Sequence, residues 1–74
     1  MELTKLRYFQ TVAKLKHVTR AAEEIHIAQP ALTKAIKQLE EELGVPLFYK
    51  KGRNICLTVF GEYLKKKLDG LFPG

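Results

Sequence analysis

The feature that most constrains the fold is the stretch "HIAQ", residues 26–29, at which one predicted helix ends and the next begins. Before it, Thr19 is a suitable N-cap for a short helix, "RAAEEIH". After it, apolar residues recur at helical spacing as far as Leu43, and Gly44 stops the helix. Two helices joined by so short a connection form a helix-turn-helix.

A further helix is predicted before this pair. Its apolar residues follow at steps of three and four, namely Leu3, Leu6, Phe9 and Ala13. This spacing is typical of an amphipathic helix with one buried stripe.

A hairpin and a last helix are predicted after the pair. Two short β-prone runs, residues 47–49 and 54–58, flank a turn that contains Gly52. Thr58 is expected to cap the last helix, "VFGEYLKKKLDGL", at whose end Gly70, Pro73 and Gly74 favour a stop. The predicted fold class is therefore mainly α with a small β-hairpin. It is a winged helix-turn-helix with a three-helix core, a two-stranded wing and a C-terminal helix, and 74 residues allow one such domain.

The charges of the third helix run against its dipole. Lys34 and Lys37 lie in its first half, whereas its last turn holds three glutamates at residues 40–42. This order costs about 0.3–1 kcal/mol for each exposed charge near a helix end. A helix that enters the major groove of DNA by its N-terminal end needs basic and polar side chains there, and one base contact contributes about 1–3 kcal/mol of discrimination. The reversal therefore predicts a DNA-reading helix whose glutamates point away from the duplex.

The composition agrees with a polyanionic partner. The net charge is +5 and the pI is about 9.5, which favours nucleic acid first and an anionic membrane second. The basic residues are spread over several elements, unlike those of a membrane-surface helix. No apolar run approaches the roughly 20 residues that span a bilayer. We expect a cytoplasmic protein that binds double-stranded DNA and no membrane.

Catalytic and metal chemistry gain no support from the sequence. Cys56 is the single cysteine, and His17 and His26 lie in different elements. No nucleophile has a visible base partner, and the glycines do not form a phosphate-binding loop. We therefore expect no enzyme activity, no metal site and no cofactor in this chain.

The sequence resembles the DNA-binding domain of LysR-type transcriptional regulators. The resemblance rests on "AA" in the second helix, "QPALTKAI" and "LE" in the third, and "LG" at its end, followed by "PLF", Arg53 and "LTVFG". It extends from Leu3 to about Leu68. It implies a bacterial transcription regulator that places residues 29–43 in the major groove. The wing, residues 47–58, would approach the adjacent backbone or the minor groove.

The resemblance also implies roles for individual residues. Those expected to face the major groove are Gln29, Pro30, Thr33 and Lys34. Lys37 resembles a backbone-contacting position, Thr19 a phosphate-contacting helix cap, and Arg53 the wing residue at the minor groove. The chemistry of the side chains adds three contacts: Ala31 beside Pro30 on a thymine methyl, and Lys50 and Lys51 as electrostatic anchors of the wing.

The last helix resembles the family's linker helix, which pairs with its mate in a dimer. Its expected dimerisation face consists of Phe60, Tyr63, Leu64, Leu68 and Leu71. Residues 1–58 would then form the DNA-binding domain, and residues 59–74 the start of the linker helix of a longer regulator. The family's small-molecule effector would bind a C-terminal domain that this chain lacks. The alternative is a protein–protein interaction module that uses the apolar stripe of the last helix.

Overall fold

The computed structural model describes residues 2–73, which form four helices and one two-stranded sheet. The helices are α1 (Leu3–Leu15), α2 (Val18–Ile25), α3 (Gln29–Leu43) and α4 (Val59–Leu71). The strands are β1 (Phe48–Lys51) and β2 (Asn54–Leu57), which pair antiparallel with Phe48 opposite Leu57 and Lys51 opposite Asn54. This element order confirms the predicted fold class of a three-helix core, a two-stranded wing and a C-terminal helix.

The connection between α2 and α3 is as short as the sequence predicts. α2 ends at Ile25 and is followed by the C-cap residue His26, which has a left-handed backbone with φ 67°; α3 begins after Ala28. Ala28 has an extended backbone and makes no side-chain capping hydrogen bond. α3 ends at Gly44, whose φ of 73° suits glycine and confirms the predicted stop.

The start of α2 differs from the prediction. His17, not Thr19, is the N-cap residue, and its Nδ1 accepts a hydrogen bond from the backbone N–H of Arg20 at 3.2 Å. Thr19 lies inside the first helical turn. The prediction of Thr19 as the cap is wrong because the imidazole nitrogen two residues earlier takes the acceptor role that a hydroxyl usually fills.

The core lies between α1 and the other elements. Its buried residues are Phe9, Val12, Ala13, Ala21, Ala22, Leu32, Ile36, Leu39, Leu47 and Leu68. The rings of Phe9 and Phe48 lie 5.3 Å apart, so the base of the wing packs directly on α1. The prediction that Leu3 joins the buried stripe is wrong: it is 56% exposed because it occupies the first residue of α1.

The end of α4 is attached to α1. The side-chain amide of Gln10 donates to Asp69 Oδ1 and to the carbonyl oxygen of Phe72, both at 3.0 Å. Hydrogen bonds from Lys65 and from Gln10 lower the pKa of Asp69. The helix continues through Gly70 to Leu71, as predicted for this segment, and Pro73 follows its end as expected. Gly74 lies outside the described residues.

The start of α4 is attached to the base of the wing. Thr58 Oγ1 accepts a hydrogen bond from the N–H of Gly61 at 3.1 Å, which confirms Thr58 as the cap. The same hydroxyl donates to the carbonyl oxygen of Pro46 at 2.7 Å, and the N–H of Thr58 donates to the carbonyl oxygen of Leu47 at 3.0 Å. These bonds hold the first residues of α4 against the chain that enters β1.

Candidate nucleic-acid interface

The polar face of α3 forms an open surface. It is lined by Gln29, Pro30, Thr33, Lys34, Lys37, Gln38 and Glu41. Five of the α3 residues predicted to contact DNA therefore share one surface, and all five are exposed. Ala31 is also exposed but does not line this surface. Gln38 was not predicted, although its position four residues after Lys34 places it on the neighbouring turn of the helix.

A side-chain hydrogen bond links α2 to the first residue of α3. Thr19 Oγ1 donates to Gln29 Oε1 at 3.0 Å. Both side chains are exposed, so the bond lies at the solvent-facing edge of the helix-turn-helix. It restrains the amide of Gln29, which leaves the two N–H donors of that amide available to a ligand.

The two lysines of α3 present their positive charge to solvent. Lys34 and Lys37 are exposed, and neither forms an ion pair within residues 2–73. Two of the acidic residues of the last turn instead have partners in other elements. Glu40 Oε2 accepts hydrogen bonds from the backbone N–H groups of Leu47 and Phe48, and Glu42 Oε1 lies 3.1 Å from Lys5 Nζ.

These partners change the explanation of the charge order. From the sequence alone, the glutamates are expected at the end of α3 that points away from DNA, where they would do least harm. The structure shows that Glu40 and Glu42 also bind neighbouring elements, whereas Glu41 is exposed and lines the α3 surface. The order of charges therefore reflects tertiary contacts at the C-terminal end of α3 as well as the basic surface at its start.

The wing carries its predicted basic residues at its exposed end. Lys50, Lys51 and Arg53 are all exposed. Gly52 and Arg53 form the two-residue turn between the strands, with Gly52 at φ 65°. A groove between α3 and the wing is lined by Thr33 and Lys37 on one side and Lys50 on the other. Because Thr33 and Lys37 also line the α3 surface, the two surfaces are continuous.

The predicted dimerisation face of α4 is divided by the structure. Phe60, Tyr63 and Leu71 are 52%, 65% and 70% exposed. Leu64 is partly buried, and Leu68 is only 4% exposed because it packs in the core. The exposed part, which we call the α4 stripe, therefore consists of Phe60, Tyr63 and Leu71, with Leu64 at its edge.

Metal binding and membrane insertion gain no support from the part of the chain that the structure describes. No group of three or more His, Cys, Asp or Glu side chains within residues 2–73 is arranged to hold a metal ion. None of the helices in that part of the chain has the length and apolar character needed to cross a membrane.

A tight helix pair, an exposed basic helix face and a basic two-stranded hairpin define a winged helix-turn-helix of the DNA-binding class. The sequence profile described as "Bacterial regulatory helix-turn-helix protein, lysR family" matches residues 3–62. The chain therefore belongs to the LysR family of bacterial helix-turn-helix regulators, as the resemblance implied.

Relatives and a solved structure agree with this assignment. The HTH-type transcriptional regulator YybE of Bacillus subtilis is 45% identical over 71 residues, which cover 96% of this chain and 24% of YybE. BudR of Klebsiella aerogenes is 53% identical over 62 residues, which cover 84% of this chain and 43% of BudR. The BenM DNA-binding domain in its catB site 1 DNA complex matches with a TM-score of 0.91 and 39% identity, covering 96% of this chain and 79% of that one. The chain thus spans about a quarter of YybE and less than half of BudR.

Proposed function

We propose that this chain binds double-stranded DNA sequence-specifically as the DNA-binding domain of a cytoplasmic bacterial transcription regulator. The observation that carries the proposal is the α3 surface, where Gln29, Thr33, Lys34 and Lys37 are exposed together. The BenM and CbnR domains, with TM-scores of 0.91 and 0.88 to this chain, were solved in complexes with DNA. The proposed role is binding without catalysis.

The α3 surface supports a division between base and phosphate contacts. Gln29 lies at the N-terminal end of α3, and its amide is suited to pair with adenine in the major groove. Pro30 and Ala31 would pack on a thymine methyl, and Thr33 and Lys34 would contact bases or phosphates. Lys37 lies one turn further on and would contact the backbone.

The remaining proposed contacts lie on either side of α3. Thr19 would contact a phosphate from α2, next to its hydrogen bond with Gln29. Lys50 and Lys51 would attract the backbone beside the major groove. Arg53 at the turn would reach the minor groove or its phosphates, where its planar guanidinium can donate two hydrogen bonds at once.

Replacing Gln29 and Lys37 separately tests this division. Gln29→Ala should weaken binding to a selected site by about 1–3 kcal/mol and relax the preference at one base position. Lys37→Ala should weaken binding to selected and scrambled sites alike, because a phosphate contact carries no base information. The measurement is fluorescence anisotropy on matched and scrambled duplexes, after selection of bound sites from a random pool.

A control and a contradicting result follow from the same geometry. Glu24→Ala is the control. Glu24 is an exposed residue of α2 that lies beside α1, away from the α3 surface, so this variant should leave base preference unchanged. If Gln29→Ala and Lys37→Ala lowered affinity equally on matched and scrambled duplexes, the assignment of base and phosphate roles would be wrong.

The α4 stripe supports a second part of the proposal, a homodimer. Phe60, Tyr63 and Leu71 are more than half exposed, which is unusual for large apolar side chains grouped on one helix face. We propose that residues 1–58 bind DNA while residues 59–74 begin the helix that pairs two copies. The small-molecule effector of the whole regulator would bind outside this chain, because YybE and BudR are considerably longer.

Sedimentation velocity of the chain tests pairing through the stripe. Tyr63→Lys should lower the dimer fraction at a given concentration, because it would bring a charge into the centre of an apolar contact. Glu62→Lys is the control, since Glu62 is exposed on α4 but lies about 160° around the helix from Phe60. Equal sedimentation of both variants and the parent chain at every concentration would contradict this pairing surface.

A further inference from the structure

We propose that Glu40 sets the position of the wing against α3 and thereby controls the DNA contact of Arg53. Glu40 Oε2 accepts hydrogen bonds from two consecutive backbone N–H groups, those of Leu47 at 2.7 Å and Phe48 at 3.3 Å. Glu40 belongs to α3, and Phe48 is the first residue of β1. One carboxylate oxygen therefore connects the helix that reads DNA to the strand that begins the wing.

The bond has the properties of a positioning contact. Bonds from N–H groups to an ionised carboxylate are about twice as strong as those between neutral groups. Leu47 is 1% exposed, and Glu40 is itself partly buried, so water has limited access to compete for the shorter bond. Breaking it would leave a backbone donor without its partner in a buried segment, which proteins rarely tolerate.

Leu47 is held from two sides at the base of the wing. Glu40 binds its N–H, and its carbonyl oxygen accepts the N–H of Thr58 at 3.0 Å. The first bond fixes the position of the wing relative to α3, and the second fixes it relative to the start of α4. Without the first bond, the orientation of the hairpin would depend on α4 and on the packing of Phe48 against Phe9.

The position of the first residues of the hairpin determines where its turn, and therefore Arg53, lies. Arg53 lies in the turn at the other end of the hairpin from Phe48. A small rotation of the strands at their base therefore produces a larger displacement at Arg53. A guanidinium must lie within hydrogen-bonding distance of its acceptor, so such a displacement weakens its contact. The inference rests on the proposed function, in which Arg53 contacts DNA.

Glu40→Ala and Glu24→Ala form a matched pair, because each removes one acidic side chain from a helix and raises the net charge by one. Glu24 is exposed and lies beside α1, away from the α3 surface, so Glu24→Ala should leave DNA affinity unchanged or slightly higher as negative charge is removed. Glu40→Ala should lower affinity about fivefold despite the same gain in net charge, as expected for coupled sites. If Glu40→Ala instead followed Glu24→Ala, the proposal would be overturned.

Repeating Glu40→Ala in a chain that already carries Arg53→Ala tests whether Glu40 affects DNA affinity through the wing. Glu40→Ala should cost no further affinity there, because the contact that it positions has already been removed. An equal loss in both backgrounds would mean that Glu40 acts through α3 or through stability, which overturns the proposal. No effect of Arg53→Ala alone would instead refute the proposed wing contact, and the positioning role with it.

Glu40→Gln is the control that separates loss of the hydrogen bonds from loss of the folded structure. Its amide oxygen keeps one neutral acceptor, so this variant should lose affinity by less than Glu40→Ala while remaining folded in a thermal scan. Amide hydrogen exchange should become faster at Leu47 and Phe48 and stay unchanged in the first turns of α3. Unchanged exchange at Leu47 and Phe48 in Glu40→Ala would show that the bond does not hold the wing, and would overturn the proposal.

Discussion

Replacing Gly61 with alanine is expected to destabilise the domain by about 1–3 kcal/mol, a large part of the stability of a small protein. Gly61 is buried in the first turn of α4. A methyl group there would overlap the carbonyl oxygen of Leu47 and lie 2.9 Å from Leu57 Cδ2. The backbone of Leu47 cannot easily move away, because its carbonyl oxygen accepts the Thr58 N–H and its own N–H binds Glu40.

Gly70→Ala is the matched control for this prediction. Gly70 lies in the same helix, and an added Cβ would meet no heavy atom within 4 Å. Alanine should therefore stabilise the domain by about 0.4–1 kcal/mol, because it restricts the unfolded chain without a clash in the folded one. Urea denaturation of both variants measures the difference. A Gly61→Ala variant as stable as Gly70→Ala would show that α4 does not need a glycine where it meets the wing.

DNA affinity is expected to fall several hundredfold between 50 and 200 mM salt, if each of the five proposed cationic contacts neutralises one phosphate. These contacts are Lys34, Lys37, Lys50, Lys51 and Arg53, all exposed. Each neutralised phosphate releases condensed counterions, so the logarithm of affinity should fall linearly with the logarithm of salt, with a slope of about −4.5. The measurement is a titration of a random-sequence duplex at a series of salt concentrations.

Variants that each remove one lysine test whether the salt dependence of affinity arises at the α3 surface. Lys34→Ala should reduce its magnitude by about 0.9, the contribution of one phosphate. Lys14→Ala removes the same charge from an exposed site on α1, away from the α3 surface, and should leave the slope unchanged. A flat salt response of the parent chain would favour the alternative of a protein–protein interaction module.

Features that depend on neighbouring residues were predictable from the sequence. The helix periods, the short connection at His26–Ala28, the stop at Gly44 and the Thr58 cap all follow from residues a few positions apart. Predictions at element ends were less accurate. Thr19 is not the cap of α2 because His17 takes that role, and Leu3 is exposed because it is the first residue of α1.

The exposed face of α3 was also predictable. At 3.6 residues per turn, apolar Leu32, Ile36 and Leu39 must face the core, so Pro30, Thr33, Lys34 and Lys37 must face outward. The position of Lys50 beside this face required the structure, because the route of the hairpin depends on its packing against α1 and α3.

The sequence by itself thus determined the elements, their order, the basic face of α3 and the LysR family, because these depend on local periodicity and on motifs. Only the tertiary structure decided that Glu40 binds the base of the wing, that Gly61 lies against Leu47, and that Leu68 is buried while Tyr63 is exposed. These features depend on which atoms of separate segments come within bonding distance. That proximity is set by packing the whole chain around one core, and the spacing of residues along the sequence does not specify it.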